Sequence, residues 1–249
     1  KALGQPLYRL LGGHRDRVRA YASDALWYSL PLDVLTNAAQ YHVSQGYRRI
    51  KLRLGNEAKP EGEVARVRAV QEAVGPDVEV MVDATESWNQ GQAVATGRAL
   101  QDAGIVWLED PVSHQDLAGL AHLSQVLDVP IAAGEHLYGL DAFQKTFEAG
   151  AVDIAIIDLA RVGGITPWMK VAHLADAHGL PVTSHGAHDV HVHLLAAVPN
   201  AAYLEVHGFG LERFIADPLT MRDGKAIAPE RPGHGMAFDW EALAACRAE

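Results

Sequence analysis

The sequence predicts a closed (β/α) barrel, an α/β fold of the TIM-barrel kind, from three observations. Short apolar runs alternate with amphipathic stretches along the 249 residues, which is the pattern of βα units around a parallel sheet. Eight such runs, at intervals of roughly 25 residues, suit the eight strands of a barrel better than an open sheet. An open doubly wound sheet would also carry a glycine-rich phosphate fingerprint after its first strand, and none is present.

In order, the strand-like runs are 18–21, 49–54, 78–82, 105–108, 130–133, 154–157, 181–183 and 203–206. Between them the apolar positions take helical spacing, as at Ala65, Val67, Val70 and Val74, or Leu117, Leu120, Leu123 and Val126. Gly46, Gly75, Gly104, Gly150 and Gly179 stand where those helices should stop. The barrel is therefore expected over residues 18–208. Residues 209–249, with Pro218, Pro229 and Pro232, break the repeat and are expected to form a separate, irregular tail.

Composition narrows the class of function. A chain with 49% hydrophobic and 21% charged residues is not disordered. Lys+Arg 21 against Asp+Glu 31 gives a net charge of −10 with no basic run, so nucleic acid is not an expected partner. No stretch approaches the ~20 apolar residues of a membrane span, and no secretory signal is visible at the start. The single cysteine, Cys246, excludes a disulfide scaffold and fits a reducing, cytoplasmic setting.

In a barrel the active site is built at the C-terminal ends of the strands. Those ends read Lys51 and Arg53, Asp83, Glu109, Glu135, Asp158, His185 and Glu205. Asp83, Glu109 and Glu135 should end strands three, four and five, spaced 26 residues apart each time (109 − 83, 135 − 109). Neighbouring strands lie ~4.8 Å apart, so three such carboxylates can converge on one ion, and an all-oxygen set favours a hard cation such as Mg²⁺. Asp158 and His185 should end strands six and seven, where a carboxylate orients an imidazole as a general base. Lys51 and Arg53 share one strand face; their partner is either a substrate carboxylate or an acid on a neighbouring strand.

Weaker features take structural readings. His188, His191 and His193 do not share one helical face. Gly163-Gly164 reads as a tight turn, because the usual phosphate site of such barrels follows strands seven and eight. Trp27, Tyr28 and Trp88 follow strand ends and either wall the pocket or pack.

These residues together resemble the enolase superfamily, specifically its mandelate racemase subgroup. The matching segments are Ile50-Lys51-Leu52-Arg53, Met81-Val82-Asp83-Ala84, Trp107-Leu108-Glu109-Asp110-Pro111, Ala133-Gly134-Glu135, the run from Asp158 through Gly163-Gly164 to Thr166, Ser184-His185-Gly186 and Leu204-Glu205. The resemblance implies Mg²⁺ on Asp83, Glu109 and Glu135 holding a substrate carboxylate. It implies that His185, oriented by Asp158, moves a proton at the α-carbon, and that a protonated Glu205, its pKa raised by crowding, donates to the substrate carboxylate. It also makes residues 1–17 a linker from an N-terminal capping domain that this chain does not encode, with the tail packing on that cap.

Two departures refine this expectation. The family often has Lys-X-Lys on the second strand, the second lysine being a base on the opposite face of the substrate. Here Arg53 holds that position, and a guanidinium stays protonated to about pH 12, so β-elimination by one base is favoured over two-base racemisation. Asn commonly stands where Thr85 does, which is expected to alter hydrogen bonding around Asp83 but not ligation. The expected function is a Mg²⁺-dependent dehydratase of aldonic or aldaric sugar acids, a homo-oligomer with a small carboxylate substrate. The stretches 219–225 and 167–198 also look closest to acid-sugar dehydratases. The alternatives are a racemase, epimerase or cycloisomerase on a hydroxy acid, a non-catalytic metal- or ligand-binding barrel, and a phosphate-binding isomerase barrel.

Overall fold

A computed structural model describes residues 1–207 and 209–246. Eight parallel strands run in order: β1 (Arg17–Ala22), β2 (Arg49–Arg53), β3 (Glu79–Asp83), β4 (Leu108–Glu109), β5 (Ile131–Ala133), β6 (Ile154–Asp158), β7 (Val182–His185) and β8 (Ala201–Val206). Each pairs with the next, and β1 bonds to both β8 and β2, so the sheet closes on itself. The helices fall between the strands at Leu32–Ser44, Pro60–Val74, Gln90–Gln101, Leu117–Val126, Gly139–Glu148, Ile165–Ala177 and His188–Ala197. Their apolar stripes pack on the outside of the strands in one continuous core, including Leu35, Val67, Leu100, Leu123, Phe143 and Trp168.

Residue parity decides what fills the lumen, because alternate side chains of a strand point to opposite faces. The middle layer is an apolar plug of Tyr21, Met81, Trp107, Ala132, Ile154 and Ile156, with Tyr21 edge-on to Trp107 at 5.3 Å between ring centroids. Two residues beyond Met81, Trp107 and Ile156 the inward positions become Asp83, Glu109 and Asp158, with His185 and Glu205 joining them from β7 and β8, so the apolar plug forms a floor beneath an ionisable layer.

The tail is more regular than its prolines suggested. It carries β9 (Met221–Arg222) and β10 (Lys225–Ile227), joined by a tight turn, and β10 pairs antiparallel with the start of β1 (Arg17↔Ile227, Val18↔Ala226, Arg19↔Lys225). Prolines 218, 229 and 232 flank this hairpin without entering it, where they leave its ladder intact. The expected boundary at Gly208 and the last residues, 247–249, lie outside the described residues.

Candidate active site

Strand register brings the ionisable residues together. Arg53 lies beside Asp83, Asp83 beside Glu109, and Asp158 beside His185. Glu135 comes two residues after β5, delivered by Gly134, whose φ is +132°. A Cβ there would lie 2.5 Å from the carbonyl oxygen of Ile156, so only glycine lets the chain turn this close to β6. Strain gathers at the same rim: Thr85, Glu86 and Asp110 have φ of +49°, +58° and +40°, and the Glu86 N–H donates to the Asp110 carbonyl at 2.7 Å.

On one side of the mouth, His185 and Asp158 form a finished pair. Asp158 Oδ2 lies 2.7 Å from His185 Nδ1. Its Oδ1 accepts from the N–H groups of Ala160 and Arg161, both at 2.8 Å, so the same carboxylate also caps the short helix Leu159–Val162. Burial lowers the His185 pKa, but the Asp158 bond and the nearby Glu135 and Glu205 outweigh it, and the net shift is upward. Its Nε2 faces inward, 3.4 Å from Glu135 Oε2.

The other side is crowded with acids. Lys51 is fully buried, its Nζ within ion-pair range of Glu109 (2.5 Å), Glu205 (3.1 Å) and Asp83 (3.5 Å). Of the two partners the sequence left open for Lys51 and Arg53, neighbouring acids are the ones in place. The Arg53 guanidinium donates to the Ser23 carbonyl at 2.9 Å, stacks 4.1 Å over Trp27 and sits 3.6 Å from Asp83. Trp27 is thus an exposed ring beneath Arg53, whereas Trp88 is core. Burial, opposed by Lys51 and reinforced by Asp83, Glu135 and Glu205, pushes Glu109 up to about 8. Burial and the neighbouring Glu135 and Glu109 hold Asp110 well above the usual carboxylate range.

Glu205 corrects an expectation. Burial raises its pKa, but Lys51, His185, the Gly186 N–H (2.9 Å) and Arg53 outweigh that and hold it well below the ordinary value. The crowding acids expected to protonate it are matched by the buried Lys51 ammonium, 3.1 Å from Glu205 Oε1. In this arrangement Glu205 Oε2 accepts the Gly186 N–H.

Sequence reasoning missed three participants. Trp107 donates its indole N–H to Glu109 at 3.0 Å. Asp110 is buried beside the site, and among the described residues its Oδ1 has no hydrogen-bond partner. Arg161 donates at 2.8 Å to the Glu135 carbonyl. All three lie in or beside motifs already singled out, so proximity to a strand end was the available signal. Thr85 tightens the turn after Asp83 through its N–H (2.8 Å to Asp83 Oδ1). His191 and His193 are buried and bound to backbone carbonyls of Gly186 and His234, at 2.7 and 3.0 Å. Gly163 closes the short helix in left-handed conformation, the expected tight turn.

The donor set fits a hard divalent cation. Carboxylate oxygens from consecutive strand ends crowd one side, burial and then like-charge neighbours raise the pKa of Glu109 and Asp110, and among the described residues a buried Asp110 oxygen stands unpartnered. Asp83 and Glu109 here face Lys51, while Glu135 clusters with Asp110 and His136.

The architecture is a closed parallel β/α barrel whose rim carries the Asp158–His185 pair on one side and crowded carboxylates on the other. Residues 33–242 match the enolase C-terminal domain-like family, and the chain belongs to it. It is 39% identical over 238 residues to a 3,6-anhydro-α-L-galactonate cycloisomerase of Streptomyces coelicolor, covering 96% of this chain and 65% of that protein. It is 36% identical to an L-talarate/galactarate dehydratase of Salmonella typhimurium, covering 96% of this chain and 59% of that protein. The chain therefore spans less than two thirds of the length of these relatives. The crystal structure of L-talarate dehydratase from Polaromonas sp. JS666, complexed with Mg and L-glucarate, superposes with a TM-score of 0.93 at 35% identity, covering 99% of this chain and 68% of that one. Among the described residues no helix is long and apolar enough to cross a membrane.

Proposed function

We propose that this chain holds the catalytic barrel of a Mg²⁺-dependent dehydratase acting on a sugar acid of the aldonate or aldarate class. The observation that carries the reading is an asymmetry of bases. His185 is poised by Asp158 at 2.7 Å, while Arg53, at the position of a second base, is fixed by Ser23, Trp27 and Asp83, and a guanidinium is a poor base. One base suits elimination.

Asp83, Glu109 and Glu135 would hold the Mg²⁺, which when bound supplies positive charge to the substrate carboxylate as it takes up electrons. His185 Nε2, its Nδ1–H held by Asp158, takes the α-proton. The C–H electron pair moves toward the carboxylate, then returns to expel the hydroxyl on the adjacent carbon. His185 Nε2–H gives that hydroxyl its proton, so it leaves as water. The resulting enol ketonises to a 2-keto-3-deoxy acid. Lys51 offsets the charge of Glu109, Glu205 and Asp83, and Arg53 adds a fixed cation facing an anionic substrate. Glu205 accepts from the Gly186 N–H and so holds the loop directly after His185.

A cycloisomerase is the second reading, favoured by the 39% identity to the Streptomyces coelicolor enzyme of that activity. The test is ¹H NMR in D₂O with Mg²⁺ and a panel of aldonic and aldaric acids, comparing the protein with its His185→Asn variant. The expected result is a 2-keto-3-deoxy acid, absent with the variant. A rearranged ring without loss of water would replace dehydratase by cycloisomerase. α-Deuteration with inversion and no elimination would replace it by racemase.

A further inference from the structure

One ligand atom each of Asp110, Glu135 and His136 lies within 4.8 Å of the other two, the spacing of a three-ligand metal site. His136 Nε2 faces Glu135 Oε1 at 3.4 Å and Asp110 Oδ2 at 3.7 Å. Taken alone, this geometry makes His136 a metal ligand. The other side of its ring says otherwise. The Arg161 guanidinium lies 2.7 Å from His136 Nδ1 and donates from the same nitrogen to the Glu135 carbonyl at 2.8 Å. A guanidinium has only donors, so Nδ1 must present its lone pair to Arg161. The ring proton is then on Nε2, pointing at the two carboxylates, and Nε2 has no lone pair left for a metal.

Two contacts hold this arrangement in place. The His136 ring packs on His114 at 5.3 Å between centroids, and His114 Nδ1 is anchored at 2.7 Å to Glu86. Arg161 follows Asp158 by three residues, and its own N–H is bound by that carboxylate at 2.8 Å. The residue that orients His136 is thereby tied to the one that orients His185.

We infer that Arg161 and His136 are positioning residues for Glu135: Arg161 fixes the Nε2–H form of His136, which then offers Glu135 and Asp110 an N–H instead of offering a metal a nitrogen. This rests on the proposed role of Glu135 as a Mg²⁺ ligand. Its consequence is selectivity. With the imidazole lone pair spent on Arg161, the donor set is all oxygen, which suits Mg²⁺; freeing that lone pair would add a nitrogen ligand, which suits Zn²⁺.

The experiment is calorimetric titration of Mg²⁺ and of Zn²⁺ into metal-free protein, for wild type, Arg161→Met, His136→Asn and the double variant. Arg161→Met is expected to raise the affinity for Zn²⁺ relative to Mg²⁺ by tenfold or more, and the double variant to lose that gain. His136→Asn alone is expected to weaken Mg²⁺ by about 10- to 100-fold, the usual effect of removing a group that orients a ligand. An unchanged Zn²⁺/Mg²⁺ ratio in Arg161→Met, or a gain that survives in the double variant, overturns the inference. Long-range ¹H–¹⁵N correlation of the wild-type imidazoles reads the tautomer without any variant: a protonated Nδ1 on His136 also overturns it. If wild type takes up no Mg²⁺ while His136 carries its proton on Nε2, the Arg161–His136 pairing stands and the metal role of Glu135 falls.

Discussion

The two sides of the barrel mouth solve the same problem, holding charge in a dry place, in different ways. The β6–β7 side is finished with protein groups alone: Asp158 spends one oxygen on two backbone N–H groups and the other on His185. The β3–β5 side is not finished. Lys51 serves three carboxylates, Asp110 keeps a buried oxygen unpartnered among the described residues, and burial pushes Glu109 up to about 8. Under the proposed function, the side made of matched pairs carries the base and the side with surplus acids takes the cation.

Four changes bear on that contrast, the largest first. Asp158→Asn keeps the shape of the finished side but reverses what it asks of the His185 Nδ1 proton, so turnover should fall by about 10³–10⁴-fold with the fold intact. Steady-state rates beside a far-ultraviolet spectrum check this, and a loss under tenfold would mean that the dyad is not the base. On the crowded side, Lys51→Met leaves Glu109, Glu205 and Asp83 uncompensated. Chemical denaturation should show a loss of about 3–5 kcal/mol, larger than for any single carboxylate-to-amide change around it. Mg²⁺ at about 100 times its dissociation constant should raise wild-type stability by about 2.7 kcal/mol, and Glu135→Gln should reduce that gain in a thermal melt.

The smallest effect belongs to the finished side. His191, buried behind the loop that follows His185, has its pKa lowered from 6.5 to about 4, chiefly by burial. It is neutral in the folded protein, while the unfolded chain takes up a proton below about pH 6.5. Stability tied to it is therefore intact above that pH and declines as pH falls toward 4, by about 2 kcal/mol at pH 5. Thermal melts from pH 7.5 to 5 should show this slope in wild type and a shallower one in His191→Asn.

The same contrast marks what the sequence could reveal. Strand-end positions were legible because a barrel puts its chemistry at one end of each strand. Asp83, Glu109, Asp158 and His185 accordingly close β3, β4, β6 and β7, and Glu205 lies one residue from the end of β8. The glycine stops were legible because left-handed turns favour glycine. Less visible was what each side chain turns toward, since that depends on three-dimensional partners. Lys51 pairs with residues 58 and 154 positions away (109 − 51, 205 − 51), and its pull on Glu205 reverses the protonation expected from acids alone. The tail hairpin was hidden for a similar reason: β9 and β10 are two and three residues long, too short for an alternating pattern to register.

That hairpin has a consequence for how the chain is made. The strand from Arg17 to Ala22 finds its neighbours in β2, β8 and β10. Two of those three leave the ribosome about 180 residues or more after it does. Until then one edge of β1 lacks its partner and the ring is an open, twisted ribbon. Closure of the barrel is thus a late event in synthesis, completed only when β8 reaches β1 and brings Glu205 to the rim beside Lys51.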